Sequence, residues 1–328
     1  MYLNNIFELS MLLEADKFNR LMNKTYGNTE CLDDNQYVDQ SLLSKGIVVT
    51  YRDSQYKKKV QLTVNANAIL DGDEPDKDNV SELIRKLEKR INKYFDFKYT
   101  LDDFTLAEMA LTTDIDVRSR DKVQDYLKVI RRVGKVKGFS PPSDYWLDAS
   151  LSFCLDGNSN GIEFWLYDLE GVLMERLAET THDRKELKNI IGKSAGLIRA
   201  EVRLTKPKSI RVWTDETVTS AQLMALSKKS VEVFLNTFMR IVPFGDFYKK
   251  DRAIEIIRTS VKDVKLRQRM IHLVTLISEK KSLLLAQKAL NYRGLDKIME
   301  KFATIELSPV TLSKRHDIKK LDNIYKYM

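Results

Sequence analysis

An α+β fold, an antiparallel sheet with flanking helices followed by a helical region, is predicted by three observations. Alternating runs at 46–51, 60–64, 106–117, 150–156, 161–168 and 196–205 read as strands separated by turn-rich links. Helix-start signals lie between them, namely Asn79 with Glu82 three residues on, and Ser119. Beyond Pro243-Phe244-Gly245 the pattern is helical almost throughout. Residues 1–215 are therefore expected to form a sheet-based domain and 216–328 a helical, basic C-terminal region.

In chain order, 7–22 reads as a helix and 23–40 as a polar loop. The runs 46–51 and 60–64 form a hairpin around D-S-Q-Y-K-K-K. A turn cluster over 71–78 precedes a helix with Val80, Leu83, Ile84, Leu87, Ile91 and Tyr94 on one face. On 106–117, Glu108, Ala110, Thr112, Asp114 and Asp116 point one way, and Met109, Leu111, Thr113, Ile115 and Val117 the other. Ser119 caps a helix whose Val123, Tyr126, Leu127, Ile130 and Val133 share a face. A hairpin over 150–168 turns through D-G-N-S-N-G, and its second strand opposes Glu163, Trp165 and Tyr167 to Ile162, Phe164 and Leu166. After a polar helical insert to 191, the last strand opposes Arg199, Glu201 and Arg203 to Ala200, Val202 and Leu204, with Leu197 or Ile198 completing the apolar set. Leu223, Leu226, Phe234, Phe238 and Ile241 suit a buried helix face. Helices at 252–258, 263–279, 282–290 and 295–302, an S-P-V-T-L element and a basic tail over 314–328 close the chain.

Composition narrows the class. The 328 residues are 43% hydrophobic and 31% charged, an ordinary soluble make-up. No apolar run approaches the ~20 residues of a membrane span. The first residues lack a basic n-region, and Glu8 and Glu14 interrupt their apolar stretch, which argues against a secretory signal. Cys31 and Cys154 are too few for a disulfide framework or a cysteine zinc site, so a cytoplasmic location is expected. From residue 245 onward 19 Lys and Arg face 10 Asp and Glu, a net of +9 against +8 for the whole chain. A basic C-terminal third suits a polyanion, nucleic acid first; a solvated lysine-rich helical surface is the alternative.

The strand faces suggest chemistry. Asp114, Asp116 and Glu201, with Glu108 as a further candidate, could gather around a divalent ion, and an all-oxygen set favours Mg2+ or Mn2+. Arg199 and Arg203 could clamp a phosphate. A phenol of pKa about 10 attacks poorly at neutral pH, but Tyr167 could serve as a nucleophile beside a metal or cationic clamp. Exposed ion pairs on a sheet edge are the alternative for these charges. No P-loop, G-x-G-x-x-G, Ser-His-Asp set or zinc spacing competes, and His182, His272 and His316 are scattered.

The order of these motifs resembles the rolling-circle replication initiators of filamentous phages and related plasmids. The likeness rests on an acidic strand, a strand ending in Tyr-Asp, and G-L-I-R-A-E-V-R-L over 196–204. N-A-N-A-I-L-D-G, L-D-K-I-M and L-S-P-V-T-L also fit that layout. The resemblance implies a Rep-endonuclease-like sheet domain that nicks one strand of an origin, stays joined to its 5′ end through a tyrosine, and leaves a 3′ hydroxyl. Tyr167 would be that tyrosine, Glu201 the carboxylate of the R-x-E strand, and Asp114 the second acid of the acidic strand. It also implies Mg2+ or Mn2+, origin duplex and nicked strand as partners with host replication machinery, and no membrane. Lys314, Arg315, Lys319 and Lys320 would join Arg199 and Arg203 as DNA contacts. Glu108 stands where relatives carry arginine, Ala110 where they carry the first aspartate, and Leu169 where a lysine is frequent. These departures favour a second reading, a DNA-binding replication or regulatory protein without cleavage. An unrelated interaction protein with exposed charged strands is a third.

Overall fold

The computed structural model of the protein describes residues 4–25, 29–33, 35–73, 79–95, 98–142, 147–157, 160–179, 184–291 and 294–328. Nine strands form one sheet: β1 Asn4–Leu13, β2 Thr29–Asp33, β3 Gln36–Asp39, β4 Ile47–Asp53, β5 Lys58–Asn65, β6 Thr105–Asp116, β7 Ser152–Asp156, β8 Ile162–Asp168 and β9 Leu197–Leu204. Their order is β2-β3-β4-β5-β1-β6-β9-β8-β7, and every neighbouring pair is antiparallel. The helices up to the sheet's end are α1 Ala15–Thr25, α2 Ala66–Ile69, α3 Val80–Phe95, α4 Arg120–Ile130, α5 Leu169–Glu179, α6 Arg184–Lys193 and α7 Pro207–Arg211. The C-terminal region adds α8 Thr219–Ile241, α9 Lys250–Ser260, α10 Val264–Lys280, α11 Leu283–Leu290 and α12 Leu295–Thr304. A two-stranded ribbon pairs β10 Phe247–Tyr248 with β11 Lys320–Leu321. The α+β class with helices in the C-terminal region is as the sequence predicts.

Alternation gives the sheet two unlike faces. On one, Leu111 lies opposite Val202 and then Phe164, and Met109 opposite Leu204 and then Ile162. These residues join Leu87 of α3, Tyr126 of α4 and Phe238 of α8 in one hydrophobic cluster. The same cluster takes in Met270, Leu290 and Phe302, so the C-terminal helices share a core with the sheet. Ile198, not Leu197, completes the apolar set of β9 on this face. The register slips between Glu8 and Leu9, and this bulge lets Leu106 reach the core although Glu108, two residues on, does not.

Two expectations fail. The helix over 7–22 is instead β1 followed by α1. Phe7 and Met11 fit a helical spacing as well as an alternating one, but β1 lies between β5 and β6 and pairs with both. Long-range pairing therefore overrides the local pattern. The polar loop over 23–40 contains the short edge strand β2 and its neighbour β3. The hairpin of β4 and β5 forms as predicted, and the Ser119 hydroxyl accepts from the Lys122 N–H at 3.3 Å to cap α4. Residues 74–78 of the turn cluster, 158–159 of the β7–β8 turn and His182 lie outside the described residues.

The basic tail is docked. Asn323 N donates to the Asp246 carboxylate at 2.8 Å, the Tyr325 hydroxyl to the Val242 carbonyl at 2.6 Å, and the Tyr126 hydroxyl to the Asp322 carbonyl at 2.8 Å. Among the described residues no helix is long and apolar enough to cross a membrane.

Candidate active site on the polar face of the sheet

Register assembles the site on the sheet's other face. Asp114 of β6 lies opposite Arg199 of β9, which lies opposite Tyr167 of β8, which lies opposite Ser152 of β7. The next row runs Thr112, Glu201, Trp165, Cys154, and the one after it Ala110, Arg203, Glu163, Asp156. Tyr167, Arg199, Asp114, Glu201 and Arg203, up to 89 residues apart in the chain, thus share one face of three adjacent strands.

Local features hold the rows in place. Gly196 opens β9 at φ +82°, and a Cβ there would lie 2.9 Å from the Ser119 nitrogen, so the start of the G-L-I-R-A-E motif abuts the cap of α4. β8 ends because Asp168 caps α5: its carboxylate accepts from the Gly171 N–H at 3.1 Å and from Gln124 at 3.0 Å. Glu170 is then forked by Arg120, with Nε at 2.6 Å, which ties α5 to α4.

Tyr167 is 7% exposed and clusters with Leu147, Cys154, Trp165 and Leu169. Burial, with Glu201 nearby, pushes its phenol above the ordinary tyrosine range. The positive charge of Arg199, opposite it on β9, works against that shift. The same guanidinium meets Asp114 with two bonds, Nε to Oδ1 at 2.7 Å and Nη2 to Oδ2 at 2.8 Å. Burial opposes charge on Arg199, but Asp114 more than offsets it and the group is firmly protonated.

One row along, Arg203 donates to Glu201 at 2.9 Å, and its guanidinium carbon sits 5.8 Å from the centre of the Trp165 ring. Trp165 Nε1 donates to Glu163 at 3.0 Å. Glu108 lies opposite Glu8, which also accepts from Gln61. Burial first, then the charge of Glu8, pushes the Glu108 carboxyl up to about 7, with Arg203 pulling the other way.

The carboxylates expected to share a divalent ion do not make a site in this arrangement. Among the described residues no three His, Cys, Asp or Glu side chains are grouped to hold a metal. Asp114 is occupied by Arg199 and Glu201 by Arg203. Asp116, at the end of β6, accepts from the Arg118 N–H at 2.8 Å, and Glu108 lies toward the far end of the same strand. Asp114, Glu201 and Asp116 have each met a cation or a backbone donor rather than one another.

Sequence reasoning missed a pocket beside this row. A cavity of about 290 Å³ is lined by Asn65, Asn67, Thr112, Thr113, Asp114 and Arg199. Asn65 and Asn67 begin N-A-N-A-I-L-D-G, and that motif was the available signal. Asn65 accepts from Ala68 N at 3.1 Å to cap α2, and Asn67 accepts from Asn5 N at 2.9 Å. Of the predicted DNA contacts in the tail, Lys314, Arg315 and Lys319 are exposed, whereas Lys320 is paired with Asp246 at 2.8 Å and Asp322 at 3.0 Å.

Comparison of the chain with protein-family models, with curated proteins and with solved structures returns no match. The resemblance to rolling-circle initiators therefore rests on the short sequence motifs alone.

Proposed function

We propose that the protein nicks and rejoins a DNA strand through a phosphotyrosine intermediate at Tyr167, as an initiator of rolling-circle replication in a plasmid or phage. The observation that carries this reading is the single row Tyr167, Arg199, Asp114. Arg199 stands in register between Tyr167 and Asp114, so a phosphodiester that replaced Asp114 on the guanidinium fork would lie close to the Tyr167 side chain. The adjoining cavity offers room for the sugar and base beside that phosphate. Attack forms a Tyr167 oxygen–phosphorus bond and breaks the bond to the 3′ oxygen. The phenol gives up its proton, the 3′ oxygen leaves as a hydroxyl, and reversal of the same step reseals the strand.

A second reading, DNA binding without cleavage, is favoured by the pairing of Asp114 and Glu201 with arginines and by Leu169 packed against Tyr167. Supercoiled DNA carrying the protein's own origin, incubated with Mg2+, with Mn2+ or with EDTA, separates the two. A nicked circle with protein covalently attached, absent in Tyr167→Phe, supports the first reading. Binding with no nick under any of these conditions supports the second.

A further inference from the structure

A groove of about 600 Å³ on the helical side of the molecule is lined by Lys128, Arg131, Arg132, Lys281, Lys314 and Arg315, with no carboxylate among its lining residues. Three segments supply these cations: the end of α4 and the turn after it, the residue that closes α10, and the loop between S-P-V-T-L and the tail. Cations at helix C-termini complement the helix dipole, and that alone accounts for Lys128 and Lys281. It does not account for Lys314 and Arg315, which a separate loop brings to the same groove. Six like charges at one groove repel one another, and an anion relieves that cost.

The loop is built to hold its position. The Lys249 ammonium donates to the carbonyls of Ser313 at 2.8 Å, of Lys314 at 3.4 Å and of His316. His316 is buried, and its Nδ1 accepts from the Ser313 N–H at 3.0 Å, which leaves Nε2–H to donate to the Asp125 carbonyl of α4 at 3.4 Å. Lys281 is held from the other side, because a Cβ on Gly134 would meet its carbonyl oxygen at 2.4 Å. Arg132 keeps a buried Nε with no hydrogen-bond partner.

We propose that this groove binds the phosphodiester backbone of a nucleic acid strand running to or from Tyr167, an inference that rests on the proposed nicking function. Its location favours that ligand. Arg131 donates to the carbonyls of Ser152 at 3.1 Å and Ser150 at 2.5 Å, and Ser152 is the residue opposite Tyr167 on β7. β7 is the last strand of the sheet, so a strand leaving Tyr167 reaches the groove by passing around a single edge.

The test uses the full chain carrying Tyr167→Phe, so that binding is read without cleavage. A labelled single strand of arbitrary sequence is titrated across a NaCl series. Lys128, Lys314 and Arg315 are exposed, so Lys128→Ala/Lys314→Ala/Arg315→Ala leaves the core untouched. That variant is expected to bind on the order of 100-fold more weakly at about 0.1 M salt, with the log–log salt slope reduced by about two units. The control is Lys86→Ala/Lys89→Ala/Lys93→Ala on a second basic surface along α3, which is expected to retain the parent slope. Unchanged binding in the groove variant, an equal loss in the control, or equally tight binding of inorganic triphosphate or of phosphatidylserine vesicles overturns the proposal. A groove-dependent slope together with no covalent adduct from the unsubstituted protein and its origin DNA removes the nicking function and leaves the groove. An adduct with no groove dependence removes the groove alone.

Discussion

Arg199 and Asp114 face each other across β9 and β6, joined by two hydrogen bonds of 2.7 and 2.8 Å, while Tyr167 lies opposite Arg199 on the other neighbouring strand. The pair is about one-third exposed, so solvent screens it and its contribution to stability is modest. A double-mutant cycle with Asp114→Asn and Arg199→Gln, read by urea unfolding, is expected to give a coupling of about 0.5–1.5 kcal/mol. Additive effects would show that the two side chains do not hold each other in solution.

Glu108 predicts a pH dependence of stability. Its folded-state pKa of about 7 lies above the ordinary carboxyl value, so the folded protein holds a proton that the unfolded chain has already lost. That contribution is complete below about pH 4.5 and disappears as pH rises to about 7, with a ceiling of about 3 kcal/mol. Glu108→Gln is therefore expected to flatten the unfolding free energy over that window and to be more stable than the parent at pH 8. Parallel pH profiles for the two proteins would contradict the shift.

His316 acts in the opposite direction. Burial lowers its pKa, although the Asp125 carbonyl favours the proton. The unfolded chain therefore takes up a proton that the folded protein resists, and stability falls as pH drops below about 6.5. His316→Asn, which cannot titrate, is expected to lose this acid-side component in denaturant melts between pH 7 and 5. If that component survives in the variant, it arises elsewhere.

Gly196→Ala tests the packing of β9 on α4. The residue sits at φ +82°, and the added methyl meets backbone 2.9 Å away. A cost of about 1–3 kcal/mol is expected, seen as a lower urea midpoint at unchanged slope. A neutral substitution would mean that the motif's glycine is dispensable to the fold.

β6, β8 and β9 are legible in the sequence because each has one aliphatic face and one charged face, which only a half-buried strand explains. β1 is not legible, since F-E-L-S-M fits either periodicity until its two neighbours are known. β2, at the sheet's edge, and β3 beside it are short and carry no hydrophobic signature. The candidate residues Tyr167, Asp114 and Glu201 could be nominated one at a time from their strand faces. That Arg199 stands between Tyr167 and Asp114 depends on register, which sequence does not encode locally. The pairing of Glu201 with Arg203, two residues on along the same strand face, removes it from the expected metal set. Lys128, Arg131, Arg132 and Lys281 belong to segments brought together only by tertiary packing, so of the basic groove only Lys314 and Arg315 could be named from the sequence.

The decisive measurement is to map the covalent linkage. The protein is reacted with its origin DNA, digested with nuclease and trypsin, and the peptides sequenced by mass spectrometry. Of the 14 tyrosines in the chain, only the one in G-I-E-F-W-L-Y-D, Tyr167, is expected to carry the nucleotide. A nucleotide on any other tyrosine, or a nicked origin with no nucleotide attached to protein, would contradict the assignment of Tyr167 as the attacking group.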